Sequence, residues 1–118
     1  MLAGCAGYAP SPIEPTDGPS SVATTRGDWD DVPRALAVAL AAGEAALLDA
    51  DRTPDRYAAS LLVIEDRRGT ATARRNADGS IELRVFVEPA GDRVAQARLL
   101  RAWRRRLDQL YGVEFAPR

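Results

Sequence analysis

The side chains in this sequence that could do chemistry are few, and the first is a lone thiol at Cys5. A single cysteine excludes an intramolecular disulfide, a thiolate metal cage and a Cys-x-x-Cys redox pair. Histidine is absent, which removes the commonest general base and the commonest nitrogen ligand for metals. All 16 basic residues are arginine, so no lysine is present to activate a nucleophile. Carboxylates remain. Asp30-Asp31 and Glu65-Asp66 are adjacent pairs, which on a cap or strand point apart and make no acid–base couple by themselves. Asp49-Ala50-Asp51 with Asp55 has the beginning of a calcium loop. Pro54, however, stands where that loop needs Gly, and Ser60 where it needs the closing Glu. There is no phosphate-cradling Walker loop and no dinucleotide glycine motif. The residue types therefore argue against an enzyme and imply neither a cofactor nor a metal.

Arginine offers a binding surface instead. Arg98, Arg101, Arg104 and Arg105 project from the helix face opposite Trp103, a stripe able to meet phosphates of lipid headgroups or nucleic acid. No aromatic residue is interleaved there for base stacking, which disfavours nucleic acid. Asp108 stands four residues after Arg104, where it can pair on a solvated face. Residues 89 to 118 carry seven Arg against three acids, and residues 27 to 55 carry seven acids against two Arg. The net charge is only -1, so any electrostatic attraction must be local.

The elements that position these groups can be read from periodicity. At 118 residues the chain is one domain's worth. Residues 6 to 28 contain Pro10, Pro12, Pro15 and Pro19 among small polar residues and read as a tether with nothing large to bury. Such a tether reaches roughly 25 Å on average and at most about 75 Å. No apolar run is long enough to span a bilayer. A single domain is expected over residues 29 to 118. Val32, Leu36, Leu40 and Leu47, with Gly43 and Ala50 on the same stripe, predict a helix to about Ala50, capped by Asp30 or Asp31.

From Tyr57 to Glu88 the period changes to two, giving three strands over about 57 to 65, 70 to 76 and 80 to 88. A loop of Ala77, Asp78 and left-handed Gly79 sets Ala71 and Ala73 on the side of Val85 and Leu83, and Arg74 opposite Glu82. The first hairpin is expected to turn near Arg67-Arg68-Gly69, with Leu61 and Val63 inward. Leu62, Ile64 and Phe86 would then share the outer face as an apolar protein-docking patch, unless Val113 to Phe115 or the tail covers it. Asp92 caps a second helix from Arg93 to about Tyr111, stopped by Gly112, with Leu99, Leu100, Trp103, Leu107 and Leu110 buried. The expected class is α+β: helix, three-stranded antiparallel meander, helix, in two layers with both helices on one sheet face.

Leu2-Ala3-Gly4-Cys5 resembles the lipobox of bacterial lipoproteins, and a Pro- and Ser-rich tether follows it, as is common in that family. The resemblance covers only these residues. It implies that Cys5 becomes the mature N-terminus, carrying diacylglyceryl and N-acyl chains that together anchor stably. It also implies a basic and apolar export segment ahead of the box, so a start codon upstream of Met1 or a trimmed chain is expected. Ala6 rather than Asp after the cysteine is similar to members sorted to an outer membrane, where one exists. The expected function is a non-catalytic envelope lipoprotein acting as adaptor or assembly subunit for another envelope protein. The alternative is a cytosolic anion-binding module using the arginine face.

Overall fold

The computed structural model describes residues 14–15, 20–89 and 91–112. The strand with the purest alternation lies inside the sheet. This is β6 (Ile81–Val87), where Ile81, Leu83, Val85 and Val87 are buried while Glu82, Arg84 and Phe86 are half-buried on the other face. The remaining strands are β1 (Glu14–Pro15), β2 (Ser21–Thr25), β3 (Ala46–Arg52), β4 (Arg56–Val63) and β5 (Arg67–Arg75). They form one antiparallel sheet in the order β1-β2-β6-β5-β4-β3. Two helices, α1 (Val32–Ala42) and α2 (Arg93–Leu110), cover the face carrying Leu61, Ala71, Ala73, Leu83 and Val85. The helices join each other where the Trp103 indole N–H donates to the Val32 carbonyl over 3.1 Å.

The β5–β6 hairpin shows how turn chemistry fixes a register. Gly79 is left-handed at φ 89°, and Asp78 accepts from the Ser80 amide and hydroxyl. Ala71 consequently faces Val85, Ala73 faces Leu83, and Arg74 lies opposite Glu82 at 3.6 Å.

The three-stranded meander flanked by helices is not what forms. The sheet has five strands of five residues or more, plus the two-residue β1. Two of the additional strands come from segments with other sequence readings. β2 lies in the stretch whose composition predicts a tether, since it offers almost nothing apolar large enough to bury. Its inward residues, Ser21, Ala23 and Thr25, are all buried, and the strand pairs along the edge of β6 that a meander would leave open. The folded unit therefore begins well before Trp29.

β3 occupies the segment where helical spacing predicts the last turns of the first helix, to about Ala50. That helix stops at Ala42, where the Glu44 amide donates to the Ala41 carbonyl and the Ala45 amide to the Leu40 carbonyl. These are the two bonds of a Schellman stop, with Glu44 taking the left-handed position at φ 57° that Gly usually occupies. The helix also begins differently. It enters through a 3-10 turn at Trp29–Asp31, and Asp31, at the capping position, makes no side-chain cap bond. Its buried carboxylate lies 3.7 Å from Arg34 instead.

The first hairpin turns three residues earlier than expected, through Ile64–Asp66, with Glu65 and Asp66 both left-handed. Gly69 is no turn residue. It sits within β5 opposite Val87, where an added Cβ would lie 2.8 Å from the Phe86 carbonyl oxygen, so backbone approach requires glycine there. α2 follows the expected plan: Asp92 caps it by accepting from the Ala95 amide, and Gly112 is left-handed beyond its end.

One buried polar residue escaped the sequence pattern. Gln96 is fully buried; its side-chain oxygen accepts from the Val87 amide over 2.9 Å and its nitrogen donates to the Ser21 hydroxyl over 2.8 Å. Gln96→Leu is expected to destabilise the domain by about 1–3 kcal/mol for each polar group left buried without a partner. Urea denaturation checks this, and Ser21→Ala should recover part of the loss when combined with it.

Candidate functional site

Surface chemistry is distributed over α2 and the uncovered face of the sheet. On α2, spacings of three and four residues bring Arg98, Arg101 and Arg105 onto one exposed face, continued by Val94 toward the helix start. Arg104 lies off that line, half-buried and with a partner of its own. The four arginines named from the sequence thus divide into three that face solvent together and one that packs.

The N-terminus of α2 carries the best-defined electrostatic device among the described residues. The Asp92 carboxylate accepts from the Ala95 amide over 3.0 Å and pairs with the Arg67 guanidinium at 2.6 Å. The first helical turn and the first residue of β5 are therefore tied to one side chain. These bonds hold the Asp92 carboxyl below its ordinary range, the Ala95 amide contributing most and Arg67 next. In the β5–β6 turn, the Ser80 hydroxyl and amide lower Asp78 in the same way. Burial pushes the Tyr57 phenol up, partly opposed by Arg52.

The outer sheet face is uncovered by either helix. Register places Leu62 and Phe86 on it, but β5 runs between their strands, with Arg68 opposite Leu62 and Thr70 opposite Phe86. Ile64 is in the turn, 48% exposed. Leu62 and Phe86 therefore form no continuous patch, and Ile64 lines a cleft with Ala39, Ala42 and Ala95 on the helix side of the sheet, so the three-residue docking patch expected from the sequence does not form. The sequence reading missed what lies between β3 and β5, a shallow depression of about 310 Å3 floored by Ala58, Ser60, Thr70 and Thr72 and bordered by Asp49, Asp51 and Arg56. No pattern signalled it, because β3 was not read as a strand. Val113 to Phe115, expected to dock or add a strand, and Cys5 both lie outside the described residues.

Among the described residues no helix is long and apolar enough to cross a membrane. Among those same residues, no cluster of three or more His, Cys, Asp or Glu side chains could hold a metal ion. Comparison with models of known protein families and with curated protein sequences finds no match to this chain.

The Asp92 cap predicts a pH signature. Because folding depresses this carboxyl, its stabilisation is present above the unfolded value of 3.8 and is lost as pH falls through the lower folded value. Asp92→Asn should therefore melt below the wild type at pH 7, and the gap should narrow as both are taken into the acid range below about pH 4. Thermal melts across pH read this directly; a gap independent of pH would assign the effect to packing.

Proposed function

We propose that the chain is a lipid-anchored envelope protein, fastened through Cys5, that acts without catalysis as an adaptor or assembly subunit for another envelope protein. The observation that carries this reading is the position of the only thiol, at the end of Leu2-Ala3-Gly4-Cys5 and ahead of a proline-bearing stretch and a folded domain. The fold adds a constraint on reach. Strand β1 begins at Glu14, so the chain between Cys5 and the sheet spans at most about 30 Å when extended, well under the reach of a tether running to residue 28. An acylated Cys5 would hold the domain close to the lipid surface and raise its effective concentration for membrane-proximal partners. The outer sheet face around Phe86, left open by both helices, is the surface assigned to the partner.

Mass spectrometry of native material should find the mature N-terminus at Cys5 with diacylglyceryl and acyl additions, and Cys5→Ser should leave the membrane fraction. An unmodified thiol on soluble protein would overturn the anchor. Phe86→Asp should lose the partner captured by the wild type at unchanged melting temperature; unchanged capture would overturn the assigned face.

A second reading is favoured by Arg98, Arg101 and Arg105, three exposed guanidinium groups on one helix face. In this reading the chain is a cytosolic anion-binding module. Binding to anionic vesicles or oligonucleotides should then fall steeply between about 50 and 200 mM salt. Binding should be lost in the triple Gln variant, and its absence at low salt ends this reading.

A further inference from the structure

A second feature of α2 lies on the side turned toward α1. Between the C-terminal half of α1 and the N-terminal half of α2 is a cleft of about 170 Å3, floored by Val63 and Val87 and open to solvent where Ala42, Gly43, Ile64 and Arg98 are exposed. Every helix residue at its walls except Leu99 and Arg98 is alanine: Ala39 and Ala42 from α1, Ala95 and Ala102 from α2. Further along the helices, Leu36, Leu40, Leu100 and Trp103 are buried in the core and fill the space that alanine leaves here. Empty apolar space of this kind lowers stability, and an apolar cavity of about 150 Å3 in a protein is large enough to admit a six-carbon ring. The lining is therefore suited to a short hydrocarbon group and offers it no hydrogen bonds.

The opening has a different character. Its two charged lining residues are both arginine, Arg67 and Arg98. Arg67 is committed to Asp92 at 2.6 Å, whereas Arg98 is exposed and makes no ion pair or hydrogen bond among the described residues. An apolar chamber with an uncommitted guanidinium at its mouth is complementary to a molecule that is hydrocarbon at one end and anionic at the other.

We propose that this cleft binds the alkyl end of a free single-chain carboxylate of about six to eight carbons, with the carboxylate paired to Arg98. The volume excludes the two acyl chains of a membrane diacyl lipid, so the ligand is a free amphiphile rather than a bilayer component. The site is distinct from the outer sheet face and does not depend on acylation of Cys5.

Octanoate is the probe, titrated into the full chain and followed by methyl NMR of Ala39, Ala95, Ala102, Val63 and Val87. Saturable shifts confined to these methyls are expected, with Kd near or below about 1 mM for a ligand of this size. Octanol and octylammonium should bind at least about tenfold more weakly, since neither provides the anionic partner. Ala42→Leu and Ala95→Leu fill the cleft from opposite walls, and each should abolish the shifts while the melting temperature holds or rises. Arg98→Gln should weaken octanoate and leave octanol unchanged.

Absence of shifts at several millimolar octanoate would overturn the proposal, as would binding that survives both leucine variants in folded protein. Equal affinity for octylammonium would overturn the role given to Arg98. Perturbation by anionic diacyl vesicles but not by octanoate would show a membrane contact in place of a ligand pocket.

Discussion

The seating of β2 depends on one buried amide. Gln96 reaches from α2 to the Val87 amide at the end of β6 and to the Ser21 hydroxyl at the start of β2, joining groups 75 residues apart in the chain. β2 needs this bond more than its neighbours would. Its inward side chains are Ser21, Ala23 and Thr25, and only one of them is apolar, so burial contributes little to holding the strand. The ladder to β6 and the Gln96 amide must offset the entropy of ordering it. At the other end of the strand, the Arg26 guanidinium stacks 5.4 Å from the centre of the Tyr111 ring, and Gly27 passes so close to Leu107 that a Cβ there would lie 3.3 Å from it. β2 is thus fixed along α2 by polar and close-approach contacts rather than by a hydrophobic stripe.

That composition explains which parts of the fold were legible. Alternation in β6 and the Asp78-Gly79 turn express the local structure directly, and they yielded the β5–β6 register residue by residue. β2 was hidden because burial of Ser, Ala and Thr leaves no apolar period. β3 was hidden for a second reason: all seven of its residues are exposed, so no apolar period of two marks it, and Leu47 happens to fall on the helical spacing of Leu36 and Leu40. The acidic cluster contained the contradicting signal. Asp49 and Asp51 would have opposed the dipole at the end of a helix reaching Ala50, and that conflict disappears once α1 ends at Ala42 and both residues lie on an exposed strand.

Site residues were legible to a different depth. Helical spacing alone brought Arg98, Arg101 and Arg105 to one face, but it could not show that Arg104 packs, since that depends on where the neighbouring elements lie. Strand parity alone put Leu62 and Phe86 on the outer face. Their separation follows from the strand order, which interposes Arg68 and Thr70 of β5. Cys5 stands apart from both cases: its reading rests on four consecutive residues, and the fold bears on it only by limiting how far from an anchor the domain could stand.

Alanine has two opposed effects in this domain, and composition cannot separate them. On the helix side of the sheet, Ala59, Ala71 and Ala73 are buried to within a few per cent in the core. At the other end of the helix pair the same side chain leaves a chamber. The difference lies in what sets the distance between backbones. Where alanine is the contact, the layers close until its methyl touches. Between α1 and α2 the packed leucines and Trp103, whose indole donates to the Val32 carbonyl, lie outside the gap and hold the helices at their separation. An alanine there cannot draw the backbones together, and its small volume appears as space. Whether a small residue produces close packing or a cavity is therefore decided by its neighbours' size and not by its own.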